Sequence, residues 1–157
     1  MGSPVDQLDG PRMRMKIRLL DAGLEPPSYA HSGDAGLDLR ARTAVRLAPD
    51  GGRALVPTGV AVELPEGHVG LVCPRSGMAL ERGITVLNGP GVVDVGYRGE
   101  IGVVLINHDQ DNAVDVSRGD RIAQLLIVPV LAVELEVVEE LAASDRAEAG
   151  FGQSGVS

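Results

Sequence analysis

A chain of 157 residues with one cysteine fits a single domain, large enough to bury a core without staples and unable to close an internal disulfide. Its net charge of −8 excludes a long nucleic acid as the expected partner, because such binding rests on a stripe of cations. No apolar run nears the length of a membrane-spanning helix, and the first thirty residues lack a signal peptide's charged start and apolar run, so a cytoplasmic protein is expected.

Residues 1–14 are polar and aperiodic, and read as a disordered leader or a remnant outside the fold. From there 21 glycines and 10 prolines break the chain every few residues, leaving little room for a long helix. Between the breaks the pattern predicts strands at 16–20, 53–56, 59–64, 68–73, 84–87, 101–107, 113–116, 122–128 and 131–138. Val60, Val62 and Leu64 alternate with Ala61 and Glu63, the period of a strand with one buried face. Only 77–82 invites a helical turn. Many short strands spanning 15–141 predict an all-β sandwich or barrel. Hydrophobic residues make up 44% of the chain but aromatics only 2%, so its core must be built from Val, Leu, Ile and Ala. The positive mean hydropathy hints at apolar surface covered by another subunit. Residues 142–157, with Phe151 as their one large apolar group, read as a mobile arm.

Five segments place polar, glycine and arginine residues where a sandwich needs only a turn. In GDAGLDL, 33–39, a strand would turn Asp38 away from Leu37 and Leu39, free to hold a hydrated Mg²⁺ through water; a turn with solvated aspartates is the plainer account. In 74–77 an apolar strand runs into the predicted helical turn, so Arg75, Ser76 and Gly77 suit an anion. The spacing lacks the glycines of a nucleophile elbow, which assigns Ser76 to binding rather than attack, against an alternative as a simple N-cap.

The third segment, 88–100, is the most informative. Asn88-Gly89 followed by Pro90-Gly91 forces a reversal that leaves backbone groups free to face a ligand. Asp94 lies among valines, where a charge is costly without a purpose, and is a candidate general base. Tyr97, between two glycines, has space to stack on a sugar. The structural alternative pairs Asp94 with Arg98 and sinks Tyr97 into the core. In 119–125, Gln124 interrupts an apolar strand and needs partners or a cavity. In 146–155, Arg146, Phe151, Gly152 and Ser154 suit a flap that closes on a ligand, although composition alone suggests a disordered end. His31, His68 and His108 are too scattered for a zinc site, and Cys73 reads as a small buried hydrophobe.

Taken in order, these segments resemble the five signature motifs of the homotrimeric dUTP diphosphatases. PRSGMALERG (74–83) and GVVDVGYRGEI (91–101) fit the second and third motifs without a gap, and GDRIAQL (119–125) fits the fourth. The resemblance implies a jelly-roll subunit, a threefold homotrimer and three shared active sites that hydrolyse dUTP to dUMP and pyrophosphate with Mg²⁺. One subunit would give the first, second and fourth motifs, a neighbour the third, and the remaining one the tail. Asp94 would activate the water that attacks the α-phosphorus. Asn88 and the 89–93 hairpin, with Gly91 and Val93, would read uracil, and Tyr97 would stack under the deoxyribose and exclude a 2′-hydroxyl. Arg75, Ser76 and Gln124 would hold the phosphates while Asp38 orders Mg²⁺ through water. Ala147 and Ala149 stand where the family's tail carries glycine. A dCTP deaminase shares the fold and parts of the motifs; the run from Gly96 to Glu100 and Phe151 favour the diphosphatase.

Overall fold

The computed structural model describes residues 13–144. Among them are the strands β1 (Lys16–Leu19), β2 (Leu37–Arg40), β3 (Val45–Leu47), β4 (Arg53–Pro57), β5 (Val60–Glu63) and β6 (His68–Cys73). The helix α1 (Ser76–Arg82) follows, then β7 (Ile84–Val86), β8 (Gly91–Val93), β9 (Gly102–Asn107), β10 (Val114–Val116) and β11 (Arg121–Pro129). The strands pair as a four-stranded sheet β2-β11-β6-β8, a three-stranded sheet β4-β9-β7, and two ribbons, β1-β5 and β10-β3. All these strand pairs run antiparallel, giving the distorted all-β jelly roll that the sequence resemblance implies.

Side-chain alternation explains how the sheets close on one another. Leu39, Ala123, Leu125 and Val72 are neighbours across β2, β11 and β6 and are at most 4% exposed. Opposite residues in an antiparallel pair share a face, so this row forms one wall of the core. Val103, Leu105 and Val56 supply the facing wall, and Met78 packs the helix onto it. The interior is Val, Leu, Ile, Ala and Met with no aromatic ring, as composition predicts. Two buried polar residues are fully used: Thr58 donates to the Ile101 carbonyl at 2.7 Å, and Asn107 donates to Ala48 and Asn112 while accepting from Asp109 N–H. Satisfied this way, they cost the core little.

Three predictions from alternation need correction. Ala61 is as buried as its neighbours, so β5 is covered on both sides. The pattern does not predict β2, β3 or β8; β2 and β8 take their hydrogen bonds from the longer β11 and β6, and β3 pairs with the equally short β10. Residues 131–138 form no strand. They carry a strand's alternation, yet Leu131, Val133, Leu135 and Val137 are each at least 75% exposed and pair with no strand among the described residues.

A polar network ties the loops at one end of the sandwich. Arg118 and Arg42 both pair with Asp21, and Arg42 also reaches Glu100. The hydrogen bond from Arg118 is the main cause that holds the Asp21 carboxyl down, at about 2. Since an unfolded aspartate titrates near about 4, this group stabilises the fold above about pH 4 and loses that contribution as the pH falls toward about 2. Asp21→Asn is therefore expected to flatten the fall in denaturant midpoint between about pH 4 and 2, read from urea titrations of both proteins.

Candidate active site

Four of the five segments converge on two clefts. In the first, Gln124 lies opposite Asp38 on one side and Cys73 on the other. Since opposed residues share a face, Asp38, Gln124 and Cys73 form a row on the outer side of the sheet, away from Leu37 and Leu39. The strand orientation predicted for Asp38 is the one observed. Its carboxylate is held at both oxygens, by Arg75 Nε at 3.2 Å and by Arg121 Nη1 at 3.0 Å, with the Asp38 side chain only 12% exposed. Arg75 also donates to the Arg121 carbonyl, and Gln124 Nε2 donates to the Pro74 carbonyl at 3.1 Å. Arg75, Ser76, Gly77, Arg121 and Gln124 thus line one cavity with Asp38 and with the GDAG turn.

Gly36 makes the cavity possible. A Cβ there would stand 2.5 Å from Gln124 Oε1 and 3.0 Å from its Cβ, so any side chain would push the amide out of place. Ser76 is the first helical residue rather than the cap; Arg75 occupies the N-cap position, without a side-chain capping bond. The capping alternative for Ser76 is thereby removed.

The second cleft lies at the β8 hairpin and is lined by Asn88, Gly91, Val92, Val93, Asp94 and Tyr97, over a floor that includes Val72 and Ile101. Asp94 is exposed and, among the described residues, its carboxylate has no hydrogen-bond or ion-pair partner. Arg98 turns instead to the carbonyls of Val95 and Tyr97. Tyr97 is 46% exposed, so it is not a core residue; its hydroxyl donates to the Glu100 carbonyl at 2.8 Å. Both structural alternatives for this segment therefore fail. The ring lies against Gly99, where an added Cβ would meet the hydroxyl at 2.5 Å.

The two clefts are separated along one strand. Val93 pairs with Gly70, and Arg75 follows Gly70 by five residues. Asp94 lies one step beyond Val93 in the opposite direction, so about 20 Å of extended chain separates it from Arg75, at about 3.3 Å per residue.

Sequence reasoning missed Arg121. Strict alternation from Gln124 sends residue 121 toward the core, but the register shifts between Arg121 and Ala123, and both Ile122 and Ala123 are buried. That bulge turns Arg121 out to the cleft. Arg146, Phe151, Gly152 and Ser154 lie outside the described residues.

The family model for dUTPase matches residues 24–155, which is most of the chain and spans both clefts. The chain belongs to the dUTPase family. This dUTPase is 57% identical over 132 residues to a deoxyuridine 5′-triphosphate nucleotidohydrolase of Anaeromyxobacter sp., covering 84% of the present chain and 88% of the relative. It is 53% identical over 139 residues to the enzyme of the same name from Nocardia farcinica, covering 88% and 84%. Among solved structures, the Staphylococcus bacteriophage 80alpha dUTPase with dUPNHPP superposes with a TM-score of 0.84 at 33% identity, covering 91% of this dUTPase and 99% of the phage chain. A mutant dUTPase of phage phi11 of S. aureus, described for its coordination of a structural Mg(II) ion, superposes at 0.75 with 31% identity, covering 82% and 98%. No helix among the described residues is long and apolar enough to cross a membrane.

Proposed function

We propose that this dUTPase works as a homotrimer in which the Asp38, Arg75, Gln124 cleft of one subunit meets the Asn88, Asp94, Tyr97 cleft of another. The enzyme hydrolyses dUTP to dUMP and pyrophosphate. The observation that carries the shared site is the separation of its parts: by strand register Asp94 lies level with the start of β6, while Gln124 sits opposite Cys73 at its end and Arg75 lies about 20 Å of extended chain away. No side-chain motion spans that gap. Association is supported by exposed apolar residues that a monomer has no use for, including Leu55, Leu80 and Val92, and by the unpaired segment from Leu131 to Leu141.

In this reading Asn88 and the backbone of 89–93 take the uracil edge, with Gly91 keeping the floor open beside Asn88 Nδ2. Tyr97 stacks under the deoxyribose. Arg75, Ser76, Gly77 and Gln124 hold the phosphate chain, and Arg146, Phe151, Gly152 and Ser154 of the arm close over it. Asp94 accepts a proton from the water that attacks the α-phosphorus in line. With no cation partner among the described residues, the carboxylate is free for that water.

A divalent ion fits the first cleft in one way only. The described residues contain no cluster of three or more His, Cys, Asp or Glu that could cage a metal. Mg²⁺ commonly keeps its waters and takes one carboxylate plus substrate phosphates. Asp38 suits that outer role, because each oxygen accepts one arginine and retains a lone pair for a metal-bound water. When bound, the ion supplies charge neutralisation to the phosphate oxygens; orientation of the chain falls to the arginines and Gln124. A reducing cytoplasmic setting suits the free Cys73.

Incubation with dUTP or dCTP and Mg²⁺, following pyrophosphate and ammonia, tests the activity. Pyrophosphate from dUTP with no ammonia from dCTP is expected; ammonia from dCTP would move the chain to the deaminase class.

A further inference from the structure

The loop that carries Tyr97 is clamped to the sandwich by a pair of side chains outside the two clefts. Glu100 offers its backbone carbonyl to the Tyr97 hydroxyl at 2.8 Å, and its carboxylate accepts the Gly59 N–H at 2.7 Å. Arg42 closes the clamp, with Nη1 at 3.2 and 3.4 Å from the two Glu100 oxygens and Nη2 on the Leu20 carbonyl at 3.2 Å. The side chains are only 35% and 26% exposed, so water competes weakly for a two-oxygen contact. Ile101 N–H fixes the chain after Glu100 by its bond to the Val60 carbonyl. Glu100 itself is fixed by its carboxylate.

We infer that Arg42 and Glu100 form a positioning pair that sets the height of the Tyr97 ring above Gly99, and thereby the discrimination between a deoxyribose and a ribose. The inference rests on the reading of Tyr97 as the sugar platform. Among the described residues the Tyr97 hydroxyl has the Glu100 carbonyl as its acceptor, and the phenol end of the ring lies beside the bare Gly99 backbone. A shift of Glu100 moves that acceptor, tilts the ring and opens space where a 2′-hydroxyl is refused. Removing the Arg42 side chain leaves the bond from Arg118 to the Arg42 carbonyl in place, so the 117–120 loop keeps that anchor.

The test is the ratio of kcat/KM for dUTP to kcat/KM for UTP, measured on the full chain for Arg42→Ala, Arg42→Lys, Glu100→Gln and Tyr97→Ala. Arg42→Ala is expected to lower the ratio by about 10-fold or more, the scale on which small misplacements act at a site. Arg42→Lys should recover part of it, since an ammonium still reaches one Glu100 oxygen. Glu100→Gln keeps an acceptor for Gly59 but weakens the Arg42 contact, and is expected to fall between; it carries the test if Arg42→Ala does not fold. General loss of stability lowers both kcat/KM values together and leaves their ratio alone. An unchanged ratio in Arg42→Ala and Glu100→Gln, with Tyr97→Ala losing it, overturns the positioning pair and leaves the platform standing. An unchanged ratio in Tyr97→Ala overturns the platform and the pair with it.

Discussion

Asp94→Asn is expected to lower kcat by at least about 100-fold while KM moves by less than about threefold, the pattern of a lost general base. Asparagine matches the carboxylate in shape and keeps an oxygen to point at a water, but it cannot take a proton at neutral pH. The substitution disturbs little else, because Asp94 is exposed and none of the described residues pairs with its side chain. Its backbone carbonyl still accepts the Tyr97 N–H, so the turn that places the tyrosine survives. Steady-state rates with dUTP, together with binding measured directly by calorimetry, separate the two quantities. A variant with normal kcat removes Asp94 from the chemistry whatever its position.

Mixing two dead variants is expected to restore activity. Asp94→Asn spoils the second cleft and leaves the first intact; Arg75→Ala does the reverse. Co-refolded at equal concentration, chains assort at random into trimers, and a site is complete only when an Arg75→Ala subunit supplies the carboxylate to an Asp94→Asn neighbour. That arrangement occurs at about one site in four, so the mixture should recover about a quarter of wild-type activity while each parent stays near background. The geometry demands this outcome if the clefts meet only across a subunit boundary. Activity of the mixture equal to the average of its parents means that each chain completes its own site.

The sequence exposes some of these features more readily than others. Alternation placed β4, β6, β9 and β11 within a residue or two, because each is a long run with a buried face. It also oriented Asp38, flanked by two leucines. It failed where structure depends on a partner: β3 is three residues long and exists through pairing with β10, while 131–138 has a strand's pattern and no strand to join. The site was readable as segments because glycine, proline and lone polar residues stand out against Val-rich strands. Their division into two clefts follows from the pairing of β8 with β6, a relation that no local window contains. Arg121 escaped because a bulge reverses its face, and the clamp on Tyr97 escaped because Arg42 and Glu100 are far apart in the chain.

The chain has no tryptophan and two tyrosines, and one of those, Tyr97, lines the cleft proposed for the nucleotide. Near-ultraviolet emission from this protein therefore originates in two phenol rings, with Tyr29 as the background. Occupancy of the cleft becomes visible without a label, as a change in the brightness of the ring that a nucleotide would cover.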